Sequence, residues 1–356
     1  MTSVLLPTGF RDRLPPEADA SARLVRCILD TLAAHGYERV QAPLAEYEAS
    51  LTAALGTSSR DLLRFVDPVS GETMAVRSDI TGQIGRIARA QMAHHPRPLR
   101  LSYGGPVVKL RSTQLRPERE MMQVGAELIG LDSIAAASEI IAVAIAALRA
   151  AGVAAITIDL TMPDLIGTLA PTGDLDAIKA ALDAKDVAAV PDALAPLIAA
   201  AGPANAAIAR LKAFDTLGAL ASRIVAFEAI IAALPVDITV TLDPTERHGF
   251  EYQTWLGFSL FSAATSGEIG RGGSYRIGDE PAVGFSAYID PLIDAGLALA
   301  ERRRLFLPLG HDAAIAAQLR EAGWVTVAAL TPDDNAEAQI CTHILRGAAP
   351  TLITKD

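Results

Sequence analysis

At 356 residues the chain is long enough for about two domains, and its hydrophobic half can bury a large core. The formal net charge of -10 repels nucleic acid unless a local patch overrides it, so a basic loop in this background points to a small anion. Cys27 and Cys341 stand far apart without metal-ligand neighbours, and the histidines form no metal-spaced cluster, which excludes a disulfide framework or a metal site and fits a reducing cytosol.

The opening MTSVLLPTGFRDRLPPEADAS has only a short apolar run before charges and prolines, so it does not read as a signal peptide. Residues 17–35 place Leu24, Val25, Ile28 and Leu32 at helical spacing, with Gly36 as the stop. YERVQAPLAEY reads as a strand running into Pro43. Over 61–92 the order is strand, a turn at DPVSG, strand, then a helix carrying Ile80, Ile84 and Ile87, capped by Ser78 or Asp79. Asp79 and Thr81 sit at that strand-to-helix junction, where rigid elements can present functional groups.

LRLSYGGPVVKL and EMMQVGAELIG are two strands around a basic loop holding Lys109, Arg111, Arg116 and Arg119. In the second strand Gln123, Gly125 and Glu127 share one face, and Met122, Val124 and Ala126 the other. That alternation suggests a polar cavity over a packed core. A buried Glu127 is costly as an anion unless paired, either by a ligand ammonium or imidazolium, or by Lys109 or Arg111.

Residues 134–151 form an Ala/Ile-rich helix, and AAITIDL a strand. The most apolar run is interrupted by Arg149 and Gly152, well short of the roughly 20 residues a membrane span needs. From about 164 to 234 the chain is alanine-rich and helical, broken by prolines, with no visible chemistry. DITVTLD, FEYQTWLGFSLFSA, GEIGRGGSYRIG and PAVGFSAYI then read as successive strands of an antiparallel sheet. The glycines of GEIGRGGSYRIG lack the Lys-Ser/Thr pair of a P-loop, and they suit a hairpin or a close backbone approach to a ligand. After Pro291 a small α/β appendage follows: strand, helix, strand, then a helix and a strand over 337–354. The fold class is therefore α+β, with a first domain over 1–295 and a small C-terminal domain over 296–356.

In this order the segments resemble the catalytic domain of class II aminoacyl-tRNA synthetases, and more closely histidyl-tRNA synthetase. LPTGFRDRLPPEA resembles that family's opening, and VRSDITGQIGRIAR its amino-group-gripping segment. LSYGGPVVK with REMMQVGAELIG resembles its second signature motif, HGFEYQTW its histidine-specific motif, GRGGSYR its glycine turn and AVGFSAYIDPL its third signature. The resemblance covers about residues 4–295 and implies a six-stranded antiparallel sheet flanked by helices, usually dimeric. It also implies that Asp79 and Thr81 hold an α-amino group and that Gln123, Glu127, Tyr252 and Tyr275 contact a histidine ligand, with Lys109 and Arg111 beside it.

Three family arginines are replaced. The second-motif arginine corresponds to Lys109, which lacks a bidentate fork. The histidine-specific arginine corresponds to His248, and the arginine that clamps the γ-phosphate corresponds to Pro291. Each such loss typically costs on the order of 10²–10³ in rate, so no catalytic residues and no adenylation are expected. Over 291–356 there are six Lys/Arg against eight Asp/Glu, which is wrong for tRNA.

A largely kept amino-acid pocket, its tyrosine pair reduced to Tyr252-Gln253, beside dismantled phosphate clamps resembles the family of ATP phosphoribosyltransferase regulatory subunits, paralogues of the synthetase. That family implies a cytoplasmic, cofactor-free, hetero-oligomeric partner of a short catalytic subunit, with histidine as inhibitory effector. A divergent synthetase, or a stand-alone histidine sensor or ligase on the same fold, is the alternative.

Overall fold

The computed structural model describes residues 5–55, 59–110, 118–247, 252–300 and 303–353. In chain order these form α1 (Glu17–Ala34), β1 (Glu38–Arg39), β2 (Ala45–Tyr47), α2 (Glu48–Leu55), β3 (Leu63–Val66), β4 (Thr73–Val76) and α3 (Thr81–Ala90). Next come β5 (Leu99–Val108), β6 (Glu120–Ile129), α4 (Ile134–Ala150) and β7 (Ile156–Thr161). A helical stretch follows, of α5 (Leu165–Leu169), α6 (Leu175–Asp183), α7 (Ala195–Ile198), β8 (Gly202–Pro203), α8 (Ala204–Phe214) and α9 (Ala221–Ala233). Then come β9 (Thr239–Asp243), β10 (Gln253–Ser262), β11 (Glu268–Ile277), β12 (Glu280–Tyr288) and α10 (Asp290–Asp294). The chain ends with β13 (Arg304–Leu307), α11 (Ala313–Glu321), β14 (Val325–Ala328), β15 (His343–Arg346) and β16 (Ala349–Leu352). It divides into two compact units, Met1–Ala298 and Leu299–Asp356.

The first unit is built on a nine-stranded sheet ordered β1-β5-β6-β12-β11-β10-β7-β9-β8. Its six central strands are antiparallel throughout. The flanks differ from the purely antiparallel expectation: β1 runs parallel to β5, and β9 parallel to β7. Parallel neighbours need a long crossover. The alanine-rich helical stretch is that crossover, since it returns the chain from the end of β7 to the start of β9. YERVQAPLAEY is likewise split, because Pro43 lies between β1 in the large sheet and β2 in a three-stranded sheet ordered β2-β4-β3.

One face of the large sheet buries Val124, Ala126, Leu128, Phe258, Leu260 and Phe285 against α1, α4 and α9. In α1 the inward stripe is Ala20, Leu24, Ile28 and Leu32, and the helix ends just before Gly36, whose φ of 83° favours glycine. Helix α4 starts at Ser133, whose hydroxyl accepts the Ala136 N–H at 3.1 Å. The opposite face packs Leu101, Tyr103, Tyr275 and Ala282 against Ile80, Ile84 and Ile87 of α3, and carries the cavity described below.

The second unit is a four-stranded sheet ordered β14-β13-β15-β16 with one helix. The helix expected within 337–354 is not formed. Residues 336–340 turn, and β15 and β16 make an antiparallel hairpin around Gly347, at φ 61°. Period two decides it: Ile344 and Leu345 feed two different apolar clusters on opposite faces. Among the described residues no helix is long and apolar enough to cross a membrane.

Candidate functional site

Strand register lays two rows across the open face of the sheet. One row runs Thr161, Gly257, Gly273, Gly284, Glu127 and Leu101. The next runs Asp159, Ser259, Arg271, Ser286, Gly125 and Tyr103. Three glycines abreast leave a trough in the sheet. A Cβ at Gly284 would overlap the Glu127 carboxylate, and one at Gly257 or Gly273 would overlap Gln253. The glycines are therefore required by side chains that lie flat upon them. Gln253 reaches there because β10 is bulged between Gln253 and Gly257. The Ser274 hydroxyl accepts the Trp255 and Leu256 N–H groups at 3.2 and 3.0 Å within that bulge.

Above the trough is a cavity partly open to solvent, about 270 Å³ with the open solvent at its mouth included, whose polar lining includes Thr81, Glu127, Tyr252, Arg271, Tyr275 and Ser286. Glu127 is 1% exposed. Its carboxylate accepts from the Tyr103 hydroxyl at 3.0 Å and the Tyr275 hydroxyl at 2.7 Å. Desolvation pushes its pKa up to about 8, against the opposing pull of those two hydroxyl donors. Burial and the neighbouring Glu127 hold Tyr103 and Tyr275 well above the usual phenol range, so both remain protonated donors. Tyr252 packs edge-on against Tyr275, with ring centroids 5.7 Å apart.

Gln123 joins this acid to the junction before α3. Its side-chain oxygen accepts the Ile80 N–H at 3.1 Å, and its amide nitrogen donates to Asp79 at 2.9 Å and Ser286 at 2.6 Å. The other Asp79 oxygen accepts the Thr81 N–H at 2.7 Å. Helix α3 consequently begins at Thr81, and the residue in cap position is Ile80, without a side-chain cap, rather than Ser78 or Asp79. Thr81 in turn lies 3.2 Å from the Tyr103 hydroxyl. Asp79, Thr81, Gln123, Glu127 and Tyr275 are thus one connected network with Tyr252 against its edge. It can receive a cationic or hydrogen-bond-donating ligand group at a carboxylate.

Lys109 stands apart from the cavity lining: its ammonium lies 5.7 Å from the Tyr288 ring centroid. Glu127 therefore takes tyrosine hydroxyls, not Lys109, as the partners that define its position. Arg111, Arg116 and His248 lie outside the described residues. Arg119 is turned to the amino-terminal segment, with its N–H donating to the Gly9 carbonyl and its guanidinium 5.0 Å from the Phe10 ring. Pro291 stands in the first turn of α10, where a missing N–H costs nothing. Beside it Asp290 accepts the Met122 N–H at 2.9 Å and pairs with Arg13.

Tyr103, Ser286, Gln253 and Arg271 were not singled out from the sequence. Period two along each strand would have put Tyr103 on the face opposite Ser102, and Arg271 on the face of Gly273. The cross-strand register that aligns those faces comes only from pairing. A buried arginine, Arg77, underpins the junction: it donates to the carbonyls of Pro106 and Ala42 at 2.8 and 3.0 Å.

An antiparallel six-strand core flanked by helices is the architecture of the class II synthetases, and the Histidyl-tRNA synthetase family model matches residues 9–292. A solved ATP phosphoribosyltransferase regulatory subunit/histidyl-tRNA synthetase from Bacillus halodurans shares the fold, with a TM-score of 0.83 at 22% identity over 95% of this chain and 96% of that one. The ATP phosphoribosyltransferase regulatory subunits of Rhodospirillum centenum and Paramagnetospirillum magneticum are 43% and 42% identical, each over 96% of this chain and over 95% and 96% of their own lengths. The chain belongs to the family of ATP phosphoribosyltransferase regulatory subunits, within the histidyl-tRNA synthetase-like fold.

Proposed function

We propose that the chain activates a short ATP phosphoribosyltransferase catalytic subunit in histidine biosynthesis and makes it sensitive to histidine, which binds in the cavity above the glycine trough. The observation that carries this reading is the connected set Asp79–Gln123–Ser286–Tyr103–Glu127–Tyr275, a polar cradle for the cationic groups of an amino acid. In this reading Asp79 and Thr81 take the α-amino group, and Glu127, Tyr252 and Tyr275 take the imidazole. Lys109, whose ammonium lies over the Tyr288 ring, takes no part in this cradle.

The chain itself does not aminoacylate. Adenylation depends on cations placed in advance against the triphosphate. A proline opens α10 where the resemblance expects a γ-phosphate clamp, and a lysine ends β5 where it expects a bidentate arginine.

Two assays test this together. Mixing the chain with a short-form catalytic subunit should switch on condensation of ATP with phosphoribosyl pyrophosphate, and histidine should suppress it. Histidine-dependent ATP–pyrophosphate exchange by the chain alone should be undetectable. Exchange turnover, or a mixture no more active than the catalytic subunit by itself, refutes the reading.

A further inference from the structure

The cradle accounts for the cationic end of a zwitterion and leaves its carboxylate without a partner among Asp79, Gln123 and Glu127. Among the described residues, one cavity-lining side chain has the complementary charge: Arg271. It projects from the middle of β11 onto the open face, in the row beside Ser286. Its guanidinium is held by both oxygens of Glu268, with side-chain exposures of 19% and 9%.

The way this pair forms is informative. Residues three apart on a regular strand point to opposite faces. Here Gly270 pairs with Leu260 and Glu268 with Phe261, so Ile269 is an extra residue in a bulge. The bulge swings Glu268 to the same face as Arg271. Across β10, the register neighbour Ser259 is fully buried and its hydroxyl has no hydrogen-bond partner. A buried hydroxyl without a partner costs stability unless something else meets it. One strand further along the same row, Asp159 is engaged by the Thr241 hydroxyl at 2.7 Å. By strand spacing and rise, the Arg271 and Glu127 backbones are about 12 Å apart, and both side chains line the same cavity.

We propose that Arg271 is the specificity-determining cation that holds the ligand carboxylate, and that Glu268 is its exchangeable internal counter-ion. On binding, the ligand carboxylate takes the bidentate place of Glu268, and the cavity discriminates amino acids from amines. This rests on the reading that the cavity binds histidine.

Calorimetry on the full chain with L-histidine and with histamine, which lacks only the carboxylate, tests it. The wild-type chain should prefer L-histidine by roughly tenfold or more, as for a charge-assisted bidentate contact. The charge-neutral double variant Arg271→Met with Glu268→Gln strands no buried ion. It should bind both ligands alike while keeping wild-type histamine affinity, which also certifies its fold. Glu268→Gln alone should tighten L-histidine and leave histamine unchanged, an effect that a purely structural ion pair would not give. If the preference persists in the double variant, Arg271 is refuted and the histidine reading stands. If the wild-type chain binds neither ligand, the histidine reading falls and this assignment falls with it.

Discussion

Glu127 is the residue on which the cavity turns, because a buried acid with a pKa near neutrality couples ligand binding to protons. Its pKa is about 8 when folded against an ordinary 4.5. Below 4.5 both folded and unfolded chains hold the proton and stability is greatest. Between 4.5 and about 8 only the folded chain holds it, so stability falls as pH rises, by at most about 1.4 kcal/mol per unit. Urea unfolding at pH 5 and pH 8 should show a larger loss for the wild-type chain than for Glu127→Gln; equal losses would exclude this role. A cationic ligand favours the ionised acid, so binding near pH 7 should release up to about one proton, measurable by calorimetry in buffers of different ionisation enthalpy. Asp79→Ala removes one charge-assisted contact of roughly 1.5–3 kcal/mol and should weaken histidine about tenfold or more. Unchanged affinity would move the ammonium elsewhere.

At the scale of elements, the cavity exists because neighbouring strands withhold side chains in register. Gly284→Ala places a methyl group into the Glu127 carboxylate. Overpacking of this kind costs about 1–3 kcal/mol, and here it also displaces the acid, so both melting temperature and ligand affinity should fall. Ser133→Ala is the control at a distance: it removes the α4 cap, worth about 1 kcal/mol. It should lower the melting temperature by a few degrees and leave affinity intact. A loss of binding in Ser133→Ala would mean that the packing of α4 reaches the cavity.

For the whole molecule, the proposed regulation requires that histidine and the catalytic partner bias the same equilibrium. Coupling of that kind is reciprocal and typically worth 5–150-fold. Histidine affinity, measured with and without saturating catalytic subunit, should change by the same factor as partner affinity measured with and without histidine. Independence of the two affinities would exclude an allosteric link through this chain.

Much of this was legible in the amino-acid sequence alone, because local rules governed it. Helical spacing located α1, Ala/Ile-rich composition located α4, alternation in EMMQVGAELIG put Gln123 and Glu127 on one face, and motif order carried the family and the α+β class. The local rules failed where long-range pairing chose between options. The hairpin's first strand, 343–346, formed where a helix was expected before the final strand, and β1 and β9 joined the sheet in parallel through crossovers. Only tertiary structure decided what Glu127 touches, why three glycines lie abreast and that Arg271 shares the cavity with it. Those are facts of strand register and bulges, and register is fixed by partners distant in the chain, to which a strand's own period of two is blind.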